Sequence, residues 1–340
     1  MKFATTVGIN PREPEELGAE ARLAEDMGFS MVMIGDNPSV VGEHFAALAV
    51  IAANTSRAQV GSFISNTITR HPAVAACGLV TVNILSRGRA YLGLSSGDTA
   101  AVNLGLKPGS VAQMEKYIRC VQELLETGES RYQDRPVKVA YRGRGARIFM
   151  AAGGPKTLRL AGRIADGVFI ETGLLPQVIE DSKRQVAAGA AEAGRSIDDI
   201  ELWWHARAAI GTNRDDAIDQ ISTGIAGIGR RLARNGREGK FVPDALWPAI
   251  QELEARYDFI RHTETMATGR TRANAHLIGE LGLTDYLADR FALVGDVADT
   301  RKRLGELRDL GVHNIAVAAV MPDRRRWIET MGREIIPHFT

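Results

Sequence analysis

Short β-type runs alternate with amphipathic helical patterns along nearly the whole 340-residue chain, and that alternation admits few folds. A strand followed by a helix returns the chain parallel to itself, so repeated βα units build a parallel sheet covered by helices. Strands are expected at 3–9, 31–34, 59–65, 89–94, 147–151, 167–170, 201–210 and 314–320. The first helical stretch, 13–27, puts Leu17, Ala21, Leu23, Ala24 and Met27 on one face before Gly28 stops it. Pro72 sits just inside a helix carrying Val74, Cys77, Leu79 and Val82, and a later helix aligns Met114, Ile118, Val121, Leu124 and Leu125. Further helices are expected at 42–53, 155–165, 177–194, 300–310 and 324–336, with an exposed ribbon over 131–146. Eight strands in such alternation predict an α/β protein of the (β/α)8 TIM-barrel type. That fold usually takes about 250 residues, so 1–340 is expected to be one domain with a helical insertion after strand seven, at 215–289. An open doubly wound sheet is disfavoured, because no GxGxxG follows the first strand and the glycine-rich turns are spread over several βα junctions.

Composition removes several functions. With 42 basic and 41 acidic residues the formal charge is +1, which provides no field to gather a nucleic acid. The two cysteines, Cys77 and Cys120, lack metal-ligand spacing and read as buried reduced thiols, so no metal site is expected. No apolar run reaches membrane-spanning length and MKFATTVGIN lacks a signal-peptide core, so a cytoplasmic protein without a membrane partner is expected.

In a barrel of this kind the chemistry belongs just after the strands. Strand two ends in Gly35-Asp36-Asn37-Pro38, strand three in Ser65-Asn66-Thr67-Ile68-Thr69-Arg70-His71-Pro72, strand four in Ser95-Ser96-Gly97-Asp98, and strand five in Ala151-Ala152-Gly153-Gly154-Pro155-Lys156-Thr157. Gly153 and Gly154 precede a helix, so free backbone N–H groups would face a phosphate there, with Thr157 adding a hydroxyl; an ordinary tight turn is the competing reading. Asp98 is a candidate proton donor at a strand end, or else a helix N-cap. Asp36 is read as a cofactor contact or a ligand of loop amides. Arg70 and His71 would touch substrate or cofactor, or else open a helix beside a solvated arginine. Arg230, Arg231, Arg234, Arg237 and Lys240 could draw in an anionic cofactor tail or substrate, but a solvated face is the favoured reading. On strand seven, alternation turns one of Trp203 and Trp204 under the helices and the other toward a pocket; Trp204 is taken as the pocket residue.

Taken together, GSFISNTITRHPAVAACGLVTVNILSRGRAYLGLSSGD, FMAAGGPKTLRLAGRIADGVFI, EAGRSIDDIELWW and DRFALVGDVADTRKRLGELRDLGV resemble the luciferase-like monooxygenase superfamily, most closely the branch containing methylenetetrahydromethanopterin reductase. The resemblance implies an oxidoreductase with a flavin or deazaflavin ring against strand three, at a non-proline cis peptide between Phe63 and Ile64. It implies cofactor contacts from Asp36, Phe63, Ile64, Ser65, Asn66, Thr67, Ser96, Gly97, Gly153, Gly154 and Thr157. Asp98 would be the catalytic acid, at the place where deazaflavin-type glucose-6-phosphate dehydrogenases carry a glutamate, with Asn37, Arg70 and Trp204 toward substrate. Coenzyme F-420, giving hydride transfer to a small organic substrate, is preferred over reduced FMN, which would give monooxygenation and need a separate flavin reductase. A homodimer is expected, and a non-catalytic flavin-binding protein is the alternative of another class. Two departures stand out. Many relatives have Asp-His after strand two where this chain has Asp36-Asn37, and the reductase pattern Gly-Pro-Gly-Val-Thr-Asn-Pro reads GSFISNT here, with Phe63 narrowing the pocket, which argues against methanopterin as substrate.

Overall fold

The computed structural model describes residues 1–8, 15–143, 145–234, 236–259, 261, 272–321 and 323–340. Two compact units emerge from the packing: one holds 1–3, 170–184 and 203–340, the other 4–169 and 185–202.

Strands β1 (Lys2–Thr6), β2 (Met31–Ile34), β3 (Gln59–Ser62), β5 (Ala90–Ser95), β8 (Arg147–Ala152) and β9 (Gly167–Ile170), which apart from Lys2, Phe3 and Ile170 belong to the larger unit, are neighbours in one parallel sheet; β4 is the short Ser65–Asn66 segment paired to β5. Register places Ala4 against Met31, Val32 against Val60, and Leu92 against Ile148. All of β2 is buried, as a strand covered on both faces must be. Tyr91 and Phe149 stack at 4.6 Å between centroids and Phe169 lies 5.5 Å from Phe149, forming an aromatic centre. Helices α1 (Glu15–Asp26), α2 (His44–Asn54), α3 (Pro72–Leu85), α4 (Thr99–Val102), α5 (Val111–Thr127) and α6 (Pro155–Ile164) separate the strands. Their starts follow local chemistry. Ser110 and Gln113 form a capping box on α5, and His71 Nδ1 accepts from Ala73 N to open α3 behind Pro72.

Helix α7 (Pro176–Glu192) and strand β10 (Glu201–Ile210) contribute residues to both units. In the smaller unit, β10 pairs through Trp204–Ala206 with β12 (Asn314–Val317) and through Arg207–Ile210 with β11 (Ala292–Gly295). The hydrogen-bonded order β10-β12-β1-β2-β3-β5-β8-β9, with β9 also paired to β10, returns on itself. This is the expected (β/α)8 topology. After β10 the described residues carry the helices α8 (Arg214–Gly229), α9 (Trp247–Arg256), α10 (Ala273–Glu280) and α11 (Thr284–Phe291), followed by α12 (Val297–Asp309) and α13 (Arg324–Thr330). Part of the ATGRTRANAH stretch, 267–271, lies outside the described residues.

The structure corrects several local expectations. The strand expected at 59–65 is broken into β3 and β4 around the Phe63–Ile64 peptide, which is cis as the resemblance implied. The ribbon is shorter and begins earlier: β6 (Glu129–Tyr132) meets β7 (Arg135–Lys138) around Gln133 and Asp134, both at positive φ, as a two-residue hairpin turn requires. Strand β11 was not expected, because α11 runs into it with no glycine or proline to mark the change. Cys77 is exposed, and only Cys120 is a buried thiol. No helix among the described residues is long and apolar enough to cross a membrane.

Candidate functional site

The C-terminal ends of β2, β4 and β5 bring most of the sequence-derived site residues together. Asp36 is buried behind β2, where its Oδ2 accepts from Ser65 Oγ at 2.5 Å and from Arg70 Nη1. Arg70 also donates from Nη2 to Glu43 Oε1 at 3.1 Å and lies 5.4 Å from the Phe45 ring. Burial works against the Arg70 charge, but Asp36 and Glu43 outweigh it and hold the guanidinium protonated above its ordinary range. Arg70 is therefore engaged by two carboxylates. Asp36 is likewise engaged within the protein, by Ser65 and Arg70.

His44 is the residue that sequence reading missed here. Its Nδ1 faces Gly35 O at 3.1 Å and its Nε2 faces Ser62 Oγ at 2.7 Å. A carbonyl can only accept, so Nδ1 carries the proton and Nε2 accepts from Ser62. Burial lowers the His44 pKa, which keeps the ring neutral. A histidine thus sits beneath the strand-two turn although Asn37 occupies the family's histidine position. The signal was its place at the first residue of α2, but only the fold brings it to Gly35.

Beyond Ser65 the chain presents unused polar atoms. Asn66 Oδ1 accepts from Ile68 N and Thr69 N, both at 2.9 Å, whereas Asn66 Nδ2, Thr67 Oγ1 and Thr69 Oγ1 are buried without a hydrogen-bond partner among the described residues. Such atoms are costly to bury unless a ligand satisfies them. Phe63 and Ile64 are half-buried beside them, Phe63 edge-on to Phe169 at 4.8 Å. Gly93 permits this approach: a Cβ there would fall 2.4 Å from Ser62 O and 2.7 Å from Ile64 Cδ1.

The β5 turn completes this face. Ser95 Oγ donates to Ser65 O at 3.1 Å, Ser96 O accepts from Gly109 N at 2.7 Å, and Gly97 takes φ 85° against Asn66. Asp98 occupies the N-cap position of α4 but makes no side-chain cap bond. Asn37 Nδ2 reaches Thr99 Oγ1 at 3.4 Å, tying the β2 turn to that helix.

After β8, nothing lies within 4 Å of a Cβ built on Gly153 or Gly154, so the start of α6 is open to a ligand. The Thr157 hydroxyl donates to Gly154 O at 2.9 Å and accepts from Gly154 N at 3.3 Å. The hydroxyl thus braces the turn and leaves the Gly154 N–H partly committed.

Trp204 is not brought to a pocket. Both tryptophans are buried, and Lys183 Nζ of α7 lies 5.6 Å from the Trp204 ring, so Trp204 faces the helices. Alternation turns His205 and Arg207 to the opposite face of β10. There His205 Nδ1 lies 3.4 Å from Glu171 Oε1, and Arg231 Nη1 donates to Glu171 Oε2 at 3.0 Å. This cluster was also missed, although Glu171 directly follows β9, where a strand-end search would have found it. Arg230, expected on a solvated face, is fully buried between Tyr257 and Phe259 and bonded to Glu254.

The sequence profile described as luciferase-like monooxygenase matches residues 2–314. The chain belongs to the luciferase-like monooxygenase family. It is 29% identical to the 5,10-methylenetetrahydromethanopterin reductase of Methanolobus tindarius, covering 97% of this chain and 99% of that one. It is 27% identical to the F420-dependent glucose-6-phosphate dehydrogenase of Nakamurella multipartita, over 99% and 96%. The solved coenzyme F420-dependent tetrahydromethanopterin reductase of Methanopyrus kandleri superposes with a TM-score of 0.77 at 26% identity, covering 100% of this chain and 99% of that one. An F420-dependent secondary alcohol dehydrogenase, with a TM-score of 0.75 at 15% identity, shares the family fold.

Proposed function

We propose that this protein is an F-420-dependent oxidoreductase that moves hydride between the deazaflavin and a small organic substrate. The observation that carries the reading is the Phe63–Thr69 face: a half-buried apolar pair next to three buried polar atoms without partners, Asn66 Nδ2, Thr67 Oγ1 and Thr69 Oγ1. A flat heterocycle with polar edges fits both requirements, with Phe63, Ile64, Ser65, Asn66, Thr67, Ser96 and Gly97 around it. Gly153 and the start of α6 offer space and backbone N–H groups for its phosphate. When bound, the deazaflavin supplies or accepts the hydride. The chain's residues position and shield the reactants: Asp36 fixes Ser65 and, through Arg70, ties it to Glu43 on the α2 side. Half-buried Asp98, not engaged in capping α4, holds the proton that must accompany a hydride delivered to a carbonyl or imine. Asn37 joins this turn through Thr99 and faces substrate.

The test is turnover under strict exclusion of oxygen with F-420 and a panel of alcohols, aldehydes and imines. Bleaching or recovery of the deazaflavin chromophore is expected. Turnover that requires oxygen, reduced FMN and a flavin reductase would replace this reading with monooxygenation; FMN binding with no turnover in either assay would favour the non-catalytic reading.

We further propose a homodimer of single-domain chains, 1–340 with 215–289 inserted. Val74, Ile84 and Leu85 of α3 are exposed, Ile84 by 71%, and Cys77 shares that helix, an apolar stripe of a kind that monomers seldom leave uncovered. Sedimentation of the wild type as a dimer and of Ile84→Glu as a monomer is expected; a monomeric wild type contradicts it. The free exposed thiol of Cys77 accords with a reducing cytoplasm.

A further inference from the structure

Strands β2 and β3 run side by side until Phe63 N donates to Ile34 O at 2.8 Å. Beyond that bond each chain carries site residues, Asp36 and Asn37 after β2, Phe63 and Ile64 after β3. His44 stands across this fork. From the first residue of α2 its Nδ1–H donates to Gly35 O at 3.1 Å, and its Nε2 accepts from Ser62 Oγ at 2.7 Å. Both ring nitrogens are thereby used, one on each strand end, and the ring and Ser62 are fully buried. The ring is also held from the side. Phe45 packs edge-on against it at 5.2 Å, and α3 lies so close that a Cβ on Gly78 would fall 2.5 Å from Phe45 Cδ1. Glu43 and Phe45, the chain neighbours of His44, both meet the Arg70 guanidinium, at 3.1 Å to Glu43 Oε1 and 5.4 Å to the Phe45 ring centroid. The start of α2 therefore grips the β2 turn, the β3 end and the loop after β4 together.

Packing alone would ask only for an apolar ring at this place. A rigid imidazole whose two distinct nitrogens are each satisfied by a different strand end also specifies how those ends stand to one another. We propose that His44 is a positioning residue that sets the Asp36–Asn37 turn against the Phe63–Thr69 face. The proposal rests on the reading of that face as the cofactor seat and of Asn37 as facing substrate. On that reading His44 fixes how substrate stands relative to the reactive ring, and a small shift of either strand end lowers turnover because transfer needs close alignment. It acts through Gly35 and Ser62, with both of its nitrogens already engaged by them.

Two substitutions separate the two bonds. In His44→Asn the side-chain amide takes the place of Nδ1 and keeps a donor for Gly35 O, but it is too short to reach Ser62. In His44→Gln the longer carboxamide reaches the place of Nε2 and keeps an acceptor for Ser62 Oγ. The first readout is hydrogen–deuterium exchange of the full-length protein without cofactor, followed by mass spectrometry. His44→Asn is expected to speed exchange over 63–69 by about tenfold and to leave 37–41 unchanged, whereas His44→Gln does the reverse. Ser62→Ala removes the same bond from the other side, so it reproduces the His44→Asn pattern, and the two combined add nothing further. The second readout uses F-420. His44→Asn weakens F-420 binding about tenfold, while His44→Gln leaves binding within a few fold and lowers kcat about tenfold. Equal acceleration of both segments by the two variants, no change in either, or additive effects of Ser62→Ala and His44→Asn would make His44 a packing residue and overturn the proposal. A split exchange pattern with F-420 binding and turnover unaltered overturns it as well. If the wild type binds FMN in place of F-420, the same split in exchange and in FMN binding supports the positioning role, and only the cofactor reading falls.

Discussion

The Asp36–Arg70 network and the Glu171–Arg207 network solve opposite problems with the same residue types. Each holds arginine, carboxylate and a buried neutral histidine. Around Arg70 the cation lies between two carboxylates, and the charge is satisfied inside the protein. Around Glu171 the carboxylate takes Arg231, while Arg207 has no carboxylate bond among the described residues and its Nε is left without a partner there. A satisfied network holds a fold in place, whereas a buried donor without a partner is costly to keep.

The largest effect is expected at the face that the first network supports. Asp98→Asn keeps size and most hydrogen bonding but loses the titrating proton, so turnover should fall by about 10² to 10⁴ with F-420 affinity within a few fold. If affinity collapses while turnover per bound cofactor holds, Asp98 is a structural residue. The networks themselves are contrasted by Arg70→Leu, which leaves Asp36 buried with Ser65 alone and should cost about 3 kcal/mol in denaturant unfolding. Arg207→Gln is expected to shift stability the other way. Equal destabilisation by both variants would erase the distinction.

A comparable effect is expected with pH. The folded state keeps His205 neutral down to about 4, against an ordinary 6.5, while the unfolded chain protonates it near 6.5. Its contribution is thus complete above pH 6.5 and is lost as pH falls toward 4, by about 3 kcal/mol. His205→Gln should flatten unfolding free energy across that window; an unchanged pH slope would mean that the ring protonates in place. The smallest effect on the fold is expected from Gly154→Val. Its side chain enters open space, so melting should be unchanged while F-420 binding weakens about tenfold. Unchanged affinity would remove the phosphate from that turn.

What the sequence disclosed follows from where the information lies. The (β/α)8 order was legible because hydrophobic period and glycine or proline punctuation are local, and the bond between Phe63 and Ile64 was legible from the resemblance. Strand β11 was not, because α11 passes into it without a turn residue. The pairing of Asp36 with Arg70 spans 34 residues and that of Glu171 with Arg231 spans 60, so neither leaves a local trace. On β10 the two tryptophans drew notice, yet the same alternation that buries Trp204 under Lys183 turns His205 and Arg207 to the other face.

The most direct test of the central claim is a parallel titration of purified apoprotein with F-420 and with FMN, followed by fluorescence quenching under identical conditions. Binding of F-420 at least about tenfold tighter than FMN is the predicted result, and tighter binding of FMN, or binding of neither, would contradict it.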